Sequence, residues 1–208
     1  VVIGNTDLML RQADLSPTSR ATLDETRNAA LHAAKMTTQL LSFARTETSS
    51  ARPLDLNREI RELVTLLRNL AGPQVDVELA LHGEPLRVML MPGHVEQVLI
   101  NLVVNARDAI AQRGTVTIAT RRERSPTGTR VVLTARDSGK GMPEAVRRRV
   151  GELFFTTKGV RGTGMGMASV RSILGDTGGR LEIASSEGTD AAPSGTVVTV
   201  SWPEATAS

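Results

Sequence analysis

The pattern of hydrophobic and polar positions divides the chain into a helical front and a longer mixed part. Residues 1–10 are apolar on one side, as in the tail of a helix that begins before them. Ser16-Pro17 then supplies an N-cap followed by proline at the first helical position, and the spacing predicts a helix from there to about Thr48. Its apolar positions Leu23, Ala30, Ala33, Ala34, Leu40, Leu41, Phe43 and Ala44 approximate a heptad stripe. A stripe of that length needs cover. An antiparallel hairpin with the first helix, doubled by dimerisation into a four-helix bundle, supplies it; packing on the following domain is the alternative.

The polar stretch 47–53 reads as a linker closed by Pro53, so domains are expected at residues 1–50 and 51–208. Residues 57–70 form an amphipathic pattern stopped by Ala71-Gly72-Pro73, and 75–81 and 86–91 read as a hairpin-like pair of strands. Pro92-Gly93 opens a helix to about Gln112. Strands are expected at 115–122 and 130–135, followed by a glycine-rich region, a helix at 167–174, and strands at 180–185 and 196–202. Strands outnumber helices and return as hairpins, which predicts an α+β two-layer sandwich on one mixed, mostly antiparallel sheet. Residues 186–194 read as a polar turn and 203–208 as a frayed end.

Composition narrows the chemistry. With no cysteine there is neither a disulfide framework nor a thiolate metal site, and a reducing intracellular compartment is the default expectation. Apolar runs are broken by charge well before the roughly 20 residues of a membrane span, so this chain is read as not membrane-spanning. The net charge of +3 invites a nucleic-acid reading, but aromatics make up 2% and tyrosine is absent. Stacking platforms for bases are therefore missing, and no nucleic-acid partner is expected.

The first chemical signal is the helix HVEQVLINLVVNARDAIAQ, apolar nearly all round except at Gln97, Asn101, Asn105 and Asp108. Helical spacing keeps those residues on one face. If that face is buried against the sheet, each unpaired polar group costs about 1–3 kcal/mol, so it calls for a polar ligand or for loop backbone. A hard cation such as magnesium suits an asparagine oxygen beside phosphate oxygens. Asp137-Ser138-Gly139-Lys140-Gly141-Met142 follows the strand pattern VVLTAR. A carboxylate at a strand end can accept from an exocyclic amine and the glycines admit a ligand closely, although the same string also makes an ordinary turn. Gly162-Thr163-Gly164-Met165-Gly166 precedes a helix whose first N–H groups form an anion site. Neither a dinucleotide fingerprint nor a GxxxxGK[ST] loop is present. Between them, Phe154-Phe155-Thr156-Thr157-Lys158 holds two of three phenylalanines. They read either as the apolar anchor of a lid whose lysine faces phosphate or as core residues beside a surface lysine.

Order makes the set specific. NLVVNARDA, DSGKGM, FFTTK and GTGMGM, with RPLDLNREI and the helices upstream, closely resemble the N, G1, F and G2 boxes of histidine kinases in order and approximate spacing. The resemblance covers nearly the whole chain. These kinases share an ATPase superfamily with DNA gyrase, the mismatch-repair MutL proteins and heat-shock chaperone ATPases. The resemblance implies the Bergerat ATP-binding fold behind a dimerising helical hairpin, and protein-histidine kinase activity in a two-component system. It also implies ATP and Mg2+ as cofactors, a response regulator receiver domain as partner, a homodimer, and a cytoplasmic module whose parent can be membrane-anchored. Asn105 would be the magnesium ligand, Asn101 would lie beside the phosphates, and Asp108 occupies a family-typical position at the nucleotide. Asp137 would bond the adenine amino group, with Gly139, Gly141 and Met142 shaping the pocket. Thr157, Lys158, Gly162, Thr163, Gly164, Met165 and Gly166 would form the lid around the triphosphate, Asn105 and Lys158 serving the transfer.

Departures are also present. Gly151-Glu152-Leu153 stands where Phe-Glu-Pro is usual, Met165 and Met167 where leucine is commoner, and Met91 where aspartate is frequent. The front resembles the dimerisation helix just downstream of the phospho-accepting histidine, which would precede Val1 by roughly two helical turns. His32, His82 and His94 read as surface or capping residues, so the chain as given is expected to bind nucleotide without phosphorylating itself. A scaffold with a degenerate ATP domain would have lost Asn105, Asp137 or the glycines. A gyrase-like or chaperone-like hydrolase would carry a glutamate where Asn101 stands.

Overall fold

A computed structural model describes residues 2–10, 15–16, 18–27, 29–30, 50–126, 128–159, 162–188 and 193–205. They fall in two compact units: Val1–Glu47 with Lys158–Thr163, and Thr48–Thr157 with Gly164–Ser208.

In the first unit, α1 (Val2–Leu10) precedes a helical stretch over residues 18–27. Ser16 Oγ accepts from the Ser19 N–H at 3.1 Å, the capping bond its position predicts. The Arg20 guanidinium donates to the Leu10 carbonyl at 3.2 Å, and Arg27 pairs with Asp7 at 2.5 Å. Later residues of the second stretch thus meet earlier residues of α1, so the two run in opposite directions. The ion pair is partly exposed and contributes under about 1 kcal/mol. Most of the heptad stripe, from Ala33 to Ala44, and His32 lie outside the described residues.

The second unit contains, in chain order, β1 (Arg52–Asp55), α2 (Leu56–Ala71), β2 (Val75–Ala80), β3 (Arg87–Leu90), α3 (His94–Ala109), β4 (Gly114–Ser125) and β5 (Gly128–Asp137). The short α4 (Glu144–Arg147), α5 (Gly166–Asp176), β6 (Arg180–Ser186) and β7 (Gly195–Pro203) complete it. One sheet has the order β2-β4-β5-β7-β6, parallel at β2-β4 and antiparallel elsewhere. Helices α2, α3 and α5 pack on it and on one another, so the unit is an α+β layered sandwich. Alternation explains the core. Val131, Leu133 and Ala135 of β5 point inward beside Val200 and Trp202 of β7, and α3 presents Val95, Val98, Leu99, Leu102, Val103 and Ala106. Trp202 is 1% exposed and satisfies its indole N–H on Thr177 Oγ1 at 3.1 Å.

Residues 203–205 are not frayed, since Pro203 ends β7 and the Glu204 and Ala205 N–H groups donate to the Thr129 and Arg87 carbonyls at 2.9 Å each, and two further elements differ from the sequence expectation. Strands β2 and β3 do not form a hairpin: β2 pairs with β4, while β3 pairs with β1 in a separate two-stranded sheet. The reason is a side-chain latch. Asn57 is 1% exposed, its Nδ2 donates to the His82 and Glu84 carbonyls at 2.9 Å each, and its Oδ1 accepts from Thr120 Oγ1 at 2.7 Å. Asp55 caps α2 by accepting from the Asn57 N–H and also accepts from the Leu86 N–H, both at 3.1 Å. These bonds carry the 82–86 connection to the start of α2 and away from the β2 edge. Strand β1 was hidden because Pro53 reads as the end of a linker.

Replacing Asn57 by alanine strands two carbonyls and a hydroxyl in a closed site. A urea titration should show a loss of about 2–4 kcal/mol; an unchanged midpoint would mean that the connection is held by other contacts.

Candidate functional site

The most constrained polar group lies at the end of the central strand. Asp137 closes β5, is 7% exposed, and stands opposite Thr196 in the β7 register. Its Oδ1 accepts the Gly139 N–H at 2.9 Å and the Thr196 N–H at 3.2 Å. Both bonds fall on the same oxygen. Oδ2 has no hydrogen-bond partner among the described residues. Burial raises the carboxyl pKa above its ordinary value, while the two backbone donors pull it back.

The loop after Asp137 is fitted closely to its surroundings. The Lys140 N–H donates to the Ala109 carbonyl at the end of α3 at 3.1 Å, and a side chain on Gly139 would lie 2.8 Å from that carbonyl. Gly141 has φ +68°, and a side chain there would enter the Ser186 backbone. Met142 N–H donates to Ser185 Oγ at 3.0 Å, and Ser185 in turn bonds Thr196 Oγ1 at 2.9 Å. Thr196 and Ser185 therefore belong with the Asp137 loop although no local pattern marks either. Their part depends on strand pairing across 59 and 43 residues.

Helix α3 separates its faces. Its apolar residues enter the core, whereas Gln97, Asn101 and Asn105 are half-buried and Asp108 is exposed. The stripe is thus not buried against the sheet but half-open, because α3 turns its aliphatic side to the strands. Gln97 Nε2 donates to Ser169 Oγ of α5 at 2.7 Å. Asn101 Oδ1 comes within 2.9 Å of where a Gly166 side chain would stand, so α5 begins against the stripe. Asp108 pairs with Arg107 at 2.8 Å, and Arg107 also caps α2 on the Leu70 carbonyl at 3.0 Å.

The N-cap residue of α5, Met165, makes no side-chain capping bond among the described residues, and a helix N-terminus of this kind suits an anion. Met165 is buried, while Gly164 has φ +65° and abuts the Phe154 backbone so closely that no side chain fits. The paired phenylalanines do not act alike. Phe154 is 67% exposed with φ +64°, and only Phe155 is half-buried, under the Arg149 guanidinium at 4.0 Å. A Phe-Phe anchor is therefore replaced by one ring held by an arginine. Thr157 is exposed at the edge of this unit; Lys158, Gly162 and Thr163 belong to the first unit, where the Gly162 N–H donates to the Gly159 carbonyl at 3.1 Å. The second unit contains Asn101, Asn105, Asp108, Asp137, Gly139, Gly141, Met142, Gly164, Met165 and Gly166, whereas Lys158, Gly162 and Thr163 fall in the first.

A polar helix stripe, a strand-end carboxylate and a glycine loop follow one another in a stretch that a known family matches. The family described as histidine kinase-, DNA gyrase B-, and HSP90-like ATPase aligns with residues 91–206. This chain belongs to that ATPase family. Within it, the sensor kinase CckA of Brucella abortus is 35% identical over 191 residues, covering 86% of this chain and 20% of that protein. The sensor histidine kinase ZraS of Salmonella typhi is 30% identical over 156 residues, covering 74% of this chain and 32% of that protein. The chain thus spans about a fifth to a third of the length of these curated relatives. The catalytic domain of histidine kinase ThkA superposes with a TM-score of 0.60 at 29% identity, covering 74% of this chain and 95% of that one. Full-length ShkA gives a TM-score of 0.68 at 24% identity over 100% of this chain and 43% of its own. The described ATPase-family fold is that of histidine kinase catalytic domains.

The raised Asp137 pKa has a defined consequence. The folded domain holds this proton to higher pH than the unfolded chain, so the contribution of Asp137 to stability falls as pH rises from the ordinary aspartate value of 3.8 through the raised one. Asp137→Asn keeps an oxygen for both backbone donors and removes the charge. Without nucleotide, its melting temperature should exceed that of the parent at pH 7, and the difference should shrink as pH falls through the raised Asp137 pKa toward the ordinary aspartate value. A lower melting temperature at pH 7 would contradict this.

Proposed function

We propose that this chain is the ATP-binding core of a sensor histidine kinase, with Asp137 reading adenine and Asn105 holding magnesium. The observation that carries this reading is the Asp137 carboxylate at a buried strand end, with two backbone donors on Oδ1 and, among the described residues, no partner on Oδ2. An exocyclic amine supplies the missing donor, and adenine has one where guanine has a carbonyl. Gly139 and Gly141 let the base approach the backbone, since side chains at either would collide with neighbouring main chain. The reading is supported by the half-buried stripe of α3, where Asn101 lies against Gly166 at the start of α5, whose N-terminal amides would receive phosphate oxygens.

Among the described residues no cluster of three His, Asp or Glu could hold a metal. The donor set fits a cation that arrives with the nucleotide: one asparagine oxygen from Asn105 with phosphate oxygens completing the shell. Bound magnesium supplies neutralisation of triphosphate charge. The chain's own residues bind the base through Asp137, orient the phosphates through Asn101 and the α5 amides, and bring Lys158 as a counter-charge in the lid. The γ-phosphoryl passes to a histidine nitrogen and then to a response-regulator aspartate. Asn101 stands where a water-activating glutamate would serve a hydrolase, which favours transfer. ThkA has been seen in complex with the response regulator protein TrrA. The helical unit serves as the homodimer contact, and the module is cytoplasmic.

Calorimetry with ATP in magnesium and in excess chelator tests the reading. The parent should bind more tightly with magnesium, and Asn105→Ala should lose roughly tenfold or more in affinity and most of the magnesium dependence. Equal affinity in parent and variant would remove Asn105 from the metal shell. In a companion assay, γ-labelled ATP and a separate dimerisation domain retaining its histidine should yield acid-labile label on that domain; label released only as free phosphate would favour hydrolysis.

A further inference from the structure

The segment leading into the lid is fixed by an unusual means. Gly151 has φ +90°, and the Arg171 side chain from α5 occupies the space where a side chain at residue 151 would project. Arg171 Nη2 donates to the Val150 carbonyl at 2.8 Å. Three residues on, Phe154 holds φ +64° with its ring exposed, and its backbone is pressed against Gly164, the residue at which the chain re-enters this unit. The two roots of the lid therefore touch at Phe154 and Gly164. The first root is set by arginines: Arg171 on the Val150 carbonyl, and Arg149 stacked on Phe155 while paired with Glu152 at 3.0 Å. Large apolar side chains do not secure it, since Leu153 is 59% and Phe154 67% exposed.

We propose that Arg171 is a positioning residue for the phosphate lid. Its guanidinium holds the 150–155 segment in the glycine-dependent conformation that lets Gly164 close against Phe154, fixing the point from which the chain departs toward Lys158. The bulky aromatic usual at residue 151 would displace this guanidinium, so glycine at 151 and arginine at 171 act as a pair. Arg171 touches no nucleotide. This rests on the reading of the site as an ATP site, and it adds that affinity for the triphosphate depends on a residue that bears on neither the base nor the metal.

The test compares ATP and adenosine by chemical-shift titration. In Arg171→Ala, ATP affinity should fall roughly three- to tenfold, the scale of one exposed charge-assisted hydrogen bond. Adenosine affinity should stay at the parent value because Asp137 and its loop are untouched. Arg171→Lys, with one donor for the Val150 carbonyl, should recover part of the loss. Gly151→Ala, whose methyl collides with the guanidinium at a positive φ, should reproduce the alanine phenotype. Parent-like ATP affinity in Arg171→Ala, or an equal loss for ATP and adenosine, overturns the proposal; a parent chain that binds neither ligand would instead defeat the ATP-site reading itself.

Discussion

The structure depends on keeping a carboxylate at the closed end of its central strand. Burial disfavours the charged form of Asp137, and among the described residues two backbone N–H groups, both on one oxygen, oppose that cost. Those two donors come from different places. Gly139 is local, whereas Thr196 arrives through the antiparallel register of β5 and β7, which places it directly opposite. The sheet order is therefore part of the site. Gly195 is required for the same reason, since a side chain there would strike the Asp137 carbonyl.

Around that carboxylate the other elements serve as walls and anchors. Helix α3 gives its aliphatic face to the sheet and leaves its amide stripe half-open, so one helix builds both core and site. The Lys140 amide on the Ala109 carbonyl fastens the glycine loop to the end of that helix. The hairpin of β6 and β7 closes the other side through Ser185 and Thr196. Far from the site, the Asn57 latch steers β3 away from the sheet edge. A hollow lined by Glu84, Arg87, Arg122 and Glu204 lies beside that latch, with Arg122 paired to both Glu84 and Glu204.

Much of this was legible in the sequence wherever function and structure are both local. The glycine strings and the four-step polar stripe announced themselves, because backbone conformation and helical periodicity are written in adjacent residues. What escaped required distance. Thr196 and Ser185 act through strand pairing, the β1-β3 pair depends on an asparagine reaching a loop 25 residues away, and the exposure of Phe154 follows from a left-handed backbone that its residue type does not advertise. The departure at Gly151, visible in the sequence, has a partner in Arg171 that α5 packing brings into range.

The most direct test of the account is a crystal structure of this chain with magnesium and a non-hydrolysable ATP analogue. The account predicts the adenine amino nitrogen about 3 Å from Asp137 Oδ2, with Oδ1 still held by Gly139 and Thr196. Adenine bound elsewhere, with Oδ2 facing solvent or another protein group, would contradict it.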